Sequence, residues 1–131
     1  MTLDLLLDRS PYAEAATILF SQAEKGLLEG YLCATTVTII HYLASKVTGN
    51  RKSRNAIRKL LSFLAVAAVD GGVVARALDG KFRDFEDAVI DQAAQSVRAE
   101  AIVARNIRDY KHSEVPAYLP EEFLAINRLN L

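Results

Sequence analysis

The sequence predicts an α/β fold built on a parallel sheet. Three observations predict it. Strand-like and helix-like runs alternate along the chain, several helix-like runs begin at a capping residue and stop at a glycine, and 131 residues that are 51% hydrophobic suffice for one ordinary domain core.

The elements follow in order. Ser10 and Pro11 form a helix-start signal, because the serine hydroxyl can accept from a first-turn amide and proline needs no donor at the first helical position. A helix is expected from Pro11 to Lys25, with Ala15, Ile18, Leu19 and Ala23 at helical spacing and Gly26 as its stop. A buried strand is expected over Tyr31 to Ala34. The run "TTVTIIHYLASKVTG" favours strand by propensity, yet Val37, Ile40, Leu43 and Ala44 recur with helical period, which predicts a helix closed by Gly49. A further helix starts at Asn50 as N-cap, with Ile57, Leu60, Leu61 and Leu64 on one face. "AVAAV" reads as a strand ending at Asp70, "VVARAL" as a short helix ending near Gly80, and "FEDAVIDQAAQSVRA" as a longer helix capped by Asp84. "AEAIVAR" and "VPAYL" read as strands, and Pro120 opens a last helix. Four strands are countable, and the first 30 residues read as helix only.

Net charge neither supports nor excludes an RNA partner. Sixteen basic and sixteen acidic side chains cancel, so no whole-molecule field draws the chain to nucleic acid or membrane, and any attraction must be local. The longest apolar runs fall far short of the roughly 18 residues of a membrane span, and no signal-peptide pattern opens the chain. The single cysteine, Cys33, lies among apolar neighbours as a small core residue, consistent with a reducing cytoplasm.

In open parallel sheets ligands bind beyond the carboxyl ends of the strands. Thr35, Thr36, Thr38 and His41 follow one expected strand; Asn106 and Asp109 follow another. Asp84, Asp87 and Asp91 point within about 60° of one another on one helix. Such a carboxylate group suits magnesium or manganese, which are hard cations that take oxygen ligands. The same stripe also fits a solvated helix face opposite Val89, Ala93 and Val97, because first-turn acids are favoured by the helix dipole regardless of function. His41 fits a partly buried helix histidine better than a zinc ligand, and no serine–histidine–acid set or Gly-rich phosphate loop is present. Arg51, Arg54 and Arg58 share a helix face, which could guide a phosphate backbone or simply face solvent.

The segments "YLCATTVTIIHYLASKVTG", "KFRDFEDAVIDQAA" and "AEAIVARNIRDYKHSEVPAYLPEEF", in that order, resemble a bacterial PIN domain of the small stand-alone group related to VapBC-type toxin ribonucleases. The resemblance covers nearly the whole chain, as one domain over 1–131. It implies a three-layer α/β/α fold and an acidic pocket that binds Mg2+ or Mn2+ for hydrolysis of single-stranded RNA. By the same resemblance Asp87, Asn106 and Asp109 are the catalytic residues, with Asp87, Asp84 and Asn106 as metal ligands. Thr38, His41, Arg51, Arg54, Arg58 and Arg105 are the RNA-binding set. An antitoxin protein and a second copy of the chain are the implied partners, in the cytoplasm.

This sequence departs from the family pattern at several positions. Asn106 stands where many members have aspartate, His41 where many carry glutamate, and Ala104 where threonine is usual. PIN domains lead with a central strand ending in an Asp-Thr-Asn motif, and "LDLLLDR" reads instead as the helix after it. The expectation is therefore a domain without its leading strand and first acid, completed by upstream sequence or by a partner. Activity is expected to be weak or absent, and the rival reading is a non-catalytic RNA-binding or protein-interaction module.

Overall fold

A computed structural model describes the backbone of residues 3–7 and 14–127 and the side chains of residues 18–126. The elements are β1 (Leu3–Leu7), α1 (Glu14–Glu24), β2 (Leu28–Cys33), α2 (Ala34–Thr48), α3 (Asn50–Leu61), β3 (Leu64–Ala67), α4 (Gly71–Leu78), α5 (Phe85–Ser96), β4 (Ala101–Val103), a 3-10 turn (Ile107–Tyr110), β5 (Ala117–Tyr118) and α6 (Pro120–Asn127). All strand pairs are parallel, in the order β3-β2-β1-β4-β5.

The leading strand that the sequence reading held to be missing is present. "LDLLL" is β1, in the centre of the sheet, with Leu5 opposite Gly30 of β2 on one side and Ala101 of β4 on the other. A central parallel strand is buried on both faces and so reads as a continuous apolar run without alternation, which periodicity cannot tell from a buried helix. Asp4 accordingly lies within β1, opposite Glu29, and not on a helix. No partner strand is needed between β2 and β4, because this chain supplies it.

Strand alternation divides the core into two layers. Leu28, Leu32, Leu64, Ala101 and Val103 pack on one face against Leu19 and Ala23 of α1 and Phe123 of α6. Cys33, Ala67, Ile102 and Ala104 face the other way, toward Val73 and Ala77 of α4 and the alanine-rich side of α5. Small residues dominate this second layer, so α5 sits close to the sheet: Ala88, Ala93 and Ala94 are all nearly or wholly inaccessible.

The other boundaries shift slightly from expectation. α1 ends at Glu24, and the Ser10–Pro11 start signal lies outside the described residues. β2 runs from Leu28 to Cys33, and Ala34 already opens α2. Threonine and isoleucine do form a helix there, because one face of the period packs on the core through Val37 and Ile40. The N-cap of α3 is Gly49 and not Asn50, whose side chain instead accepts from Arg54 Nε at 3.2 Å.

Candidate functional site

The sheet order reverses at β1: the chain leaves β1 toward β2 and β3, then returns to β4 on its other side. A crevice at such a switch point, beyond the carboxyl ends of the two diverging strands, is where open α/β sheets hold ligands. Among the described residues, the exit of β2 into α2, the N-terminus of α5 and the turn after β4 lie at that end of the sheet.

At the β2 exit, hydroxyl groups serve the local backbone. Thr38 Oγ1 donates to the Thr35 carbonyl at 2.7 Å, Cys33 Sγ and Thr35 Oγ1 are 3.3 Å apart, and Thr36 is buried. His41 is half-buried, with Nδ1 2.8 Å from Ser53 Oγ, and Ser53 Oγ also donates to the His41 carbonyl at 3.3 Å. Both contacts are met together when Nδ1 carries the proton. His41 thus ties α2 to α3 through a serine that is 1% exposed.

The three aspartates of α5 occupy three different environments. Asp84 is exposed and is the N-cap, its Oδ1 accepting from the Asp87 amide at 3.1 Å. Asp87 is half-buried in the first turn, where the helix dipole favours a negative charge. Its Oδ1 accepts from the buried Tyr110 hydroxyl at 3.3 Å. Asp91, one turn on, is buried, which corrects the reading of the stripe as a solvated face. It accepts from Gln95 Nε2 at 3.0 Å and from the Ser113 hydroxyl. Burial pushes its carboxyl above the usual range, Ser113 and Gln95 pull the other way, and nearby Glu114 adds to the rise.

After β4, Asn106 is exposed and caps the 3-10 turn, its Oδ1 accepting from the Arg108 amide at 3.1 Å. Asp109 is half-buried and Arg105 exposed in the same turn. The turn is held on α5 at two points, by Tyr110 to Asp87 and, just beyond it, by Ser113 to Asp91. Neither Tyr110 nor Ser113 is visible to a search for acids and bases along the sequence. The only sequence signal was a polar run, "RDYKHSE", that had to return over an alanine-rich helix.

Asp84, Asp87, Asn106 and Asp109 offer hard oxygen donors, which in kind suit Mg2+ or Mn2+. Among the described residues, no three His, Cys, Asp or Glu side chains converge as a metal-binding group. The chain also has no acid at all between Glu29 and Asp70, while Lys46, Arg51, Lys52, Arg54, Arg58 and Lys59 fall in that stretch. The exit of β2, α2 and α3 therefore brings cations and no carboxylate to the molecule. Arg51, Arg54 and Arg58 are exposed on α3; Arg58 donates to Asn55 Oδ1 at 2.7 Å.

A family model of the PIN domain (PIN_3) matches residues 1–108. The chain belongs to the PIN domain family. That makes it a member of a nuclease family whose fold is the α/β architecture described above. Solved structures agree with this PIN domain in fold. One is VapBC-1 from nontypeable Haemophilus influenzae, with a TM-score of 0.69 and 13% identity over 91% of this chain and 99% of that one. DNA-bound VapBC from Salmonella typhimurium gives a TM-score of 0.68 and 16% identity over 91% and 99%. FitAcB from Neisseria gonorrhoeae gives 0.64 and 19% over 89% and 98%. The comparison with curated proteins finds no match. No helix among the described residues of this PIN domain is long and apolar enough to cross a membrane.

Proposed function

We propose that this PIN domain is a divalent-metal-dependent ribonuclease that hydrolyses phosphodiester bonds in single-stranded RNA, with low activity. The observation that carries the reading is the setting of Asp87. A half-buried carboxylate stands in the first turn of α5, braced by Tyr110 of the turn that Asn106 opens after β4.

With β1 leading the sheet, the first acid of the pattern is assigned to the residue that follows it in the sequence. Asp8 directly follows Leu7, the last residue of β1, in the sequence. We assign it, with Asp87, as a principal metal ligand, supported by Asn106, Asp109 and Asp84. When bound, Mg2+ or Mn2+ would supply an activated water and neutralise charge on the phosphate. The chain's own part is to hold oxygen donors rigidly at the strand ends and to draw in the RNA backbone. Arg51, Arg54, Arg58 and Arg105 serve the second task, with Thr38 and His41 of α2 assigned to the same RNA-binding set. The expected activity is low because the acid-free stretch from Gly30 to Val69 contributes no ligand charge and Asn106 is neutral.

The solved structures similar in fold include a toxin–antitoxin complex from Klebsiella pneumoniae, and an antitoxin protein and a homodimer are proposed as partners of this chain. A cytoplasmic location belongs to the same reading.

The acid-free stretch also favours a second reading, a PIN-fold module that binds RNA or protein without cutting. One experiment separates them. Single-stranded RNA is incubated with the wild-type chain, Asp8→Asn and Asp87→Asn, with MnCl2 or with a chelator. Cleavage by the wild type alone, lost with chelator, supports the ribonuclease. Equal cleavage by all three overturns it, and RNA binding without cleavage, insensitive to chelator, supports the module.

A further inference from the structure

A cavity of about 170 Å3 lies against α5, and none of Asp84, Asp87, Asn106 or Asp109 lines it. It is lined by Arg76 of α4, Lys81 of the α4–α5 connection, Asp91 and Gln92 of α5, and His112 and Glu114 of the segment leading to β5. Separate stretches of chain thus contribute the basic side chains Arg76, Lys81 and His112. The cavity is built into the fold, because the hydroxyl of Ser113, between His112 and Glu114, donates to the buried Asp91 and fastens their segment to α5.

The hydrogen bonds already made decide what this lining still offers. Asp91 has both oxygens engaged, Oδ1 by the Ser113 hydroxyl and Oδ2 by Gln95 Nε2 at 3.0 Å. Arg76 can only donate, and its Nε donates to Gln92 Oε1 at 3.1 Å, so Gln92 keeps its amide N–H groups in reserve. Among the described residues, no hydrogen bond or ion pair engages Lys81, His112 or the terminal nitrogens of Arg76. The unused capacity is therefore mainly that of donors, opposed by Glu114 and by Gln95 Oε1. A phosphate group suits it, being anionic and rich in acceptor oxygens. Size sets a limit: a cavity of roughly 150 Å3 takes one benzene ring. This one holds a phosphate with the sugar that bears it, and no length of nucleic acid.

We propose that this cavity is a second binding site, for a phosphate group, with Arg76, Lys81 and the Gln92 amide as its donors. The site stands whether or not the chain cleaves RNA. Free phosphate and a nucleotide monophosphate share the chemistry, so both are probed. The test is calorimetric titration of the full chain with adenosine 5′-monophosphate, inorganic phosphate and adenosine, in metal-free buffer. It compares the wild type, the double variant Arg76→Gln with Lys81→Gln, and Glu114→Gln, with circular dichroism to compare folds. The wild type should bind the monophosphate, bind phosphate more weakly, and leave adenosine unbound. The double variant should bind at least about tenfold more weakly, since it loses two charge-assisted donors. Glu114→Gln should bind severalfold more tightly, because a charge that repels the ligand is gone. Equal affinity for the two phosphates supports the site with free phosphate as its ligand. No binding of either at millimolar concentration overturns the proposal, as does wild-type affinity in a folded double variant or equal binding of adenosine and its monophosphate. If the double variant unfolds, Glu114→Gln decides: an affinity no tighter than the wild type overturns the site.

Discussion

Ser113 donates its hydroxyl to Asp91 Oδ1, and Asp91 is only 3% exposed. Asp91 lines a cavity of about 170 Å3 that also meets Arg76, Lys81, His112 and Glu114. Burial is the largest influence on Asp91 and raises its proton affinity, against the two hydrogen bonds that lower it. In the folded chain Asp91 therefore holds its proton to higher pH than in the unfolded chain. The native state binds more protons across that window, so the contribution of Asp91 to stability is greatest below its ordinary value of 3.8 and falls as pH rises through the raised one. Asp91→Asn keeps an acceptor for Ser113 and removes the ionisation. Urea unfolding at a series of pH values should show the variant gaining on the wild type as pH rises from the ordinary carboxylate value toward neutrality; parallel curves would contradict this.

Asp84 separates a structural role from a ligand role. Its Oδ1 caps α5 through the Asp87 amide, so Asp84→Ala should cost about 1 kcal/mol in denaturant unfolding. Asp84→Asn preserves an N-cap acceptor and should leave stability within a few tenths of a kcal/mol of the wild type. Mn2+ titration of the Asn variant then reads the ligand role alone. A tenfold loss there, with the fold intact, would raise Asp84 from supporting group to principal ligand.

These environments explain what the sequence could and could not tell. The caps, the glycine stops and the period of α5 are local features, and Asp84, Gly26 and Gly49 stand where local chemistry puts them. β1 was not local: "LDLLL" is a strand because β2 and β4 close on both its edges, a fact held by residues more than 20 positions away. Asp91 looked solvated because its helix position is opposite Val89 and Ala93, yet the segment around Ser113 returns to cover it from 22 residues on. The Tyr110–Asp87 bond spans 23 residues and leaves no trace in spacing. For the site, residue types and the strand-end rule pointed to the right segments. Which side chains meet depended on how the segment of Tyr110 and Ser113 folds back over α5.

α1 and α5 end in the same motif with different residues. At Gly26, φ is +78°, with its amide bonded to the Ala23 carbonyl and the Leu27 amide to the Gln22 carbonyl. At Arg98, φ is +56°, with the equivalent bonds to Gln95 and, from Ala99, to Ala94. A left-handed conformation costs an L-residue roughly 1–2 kcal/mol and glycine almost nothing. Arg98→Gly should therefore raise stability by up to about 1 kcal/mol and Gly26→Ala lower it by about the same amount, both read by thermal unfolding. The space beside Gly26 is open, so no clash complicates the second variant. Opposite signs at the two positions are the required result.

The basic stretch makes the last prediction quantitative. Arg51, Arg54 and Arg58 are exposed on α3, and no carboxylate lies between Glu29 and Asp70 to neutralise them within the sequence. If they contact RNA phosphates, each releases condensed counterions on binding, and for single strands the logarithm of the binding constant falls with the logarithm of salt by about 0.7 per phosphate contact. Replacing all three by alanine should flatten that slope by about 2 and weaken binding equally for RNAs of different sequence. Because the three side chains are exposed, and among the described residues the bonds of Arg54 and Arg58 run within α3 to Asn50 and Asn55, unfolding midpoints should barely move. Fluorescence anisotropy with short single-stranded RNAs across a salt series reads both quantities. An unchanged slope would mean that α3 faces solvent or a protein, and would leave Arg105, at the exit of β4, to guide the substrate.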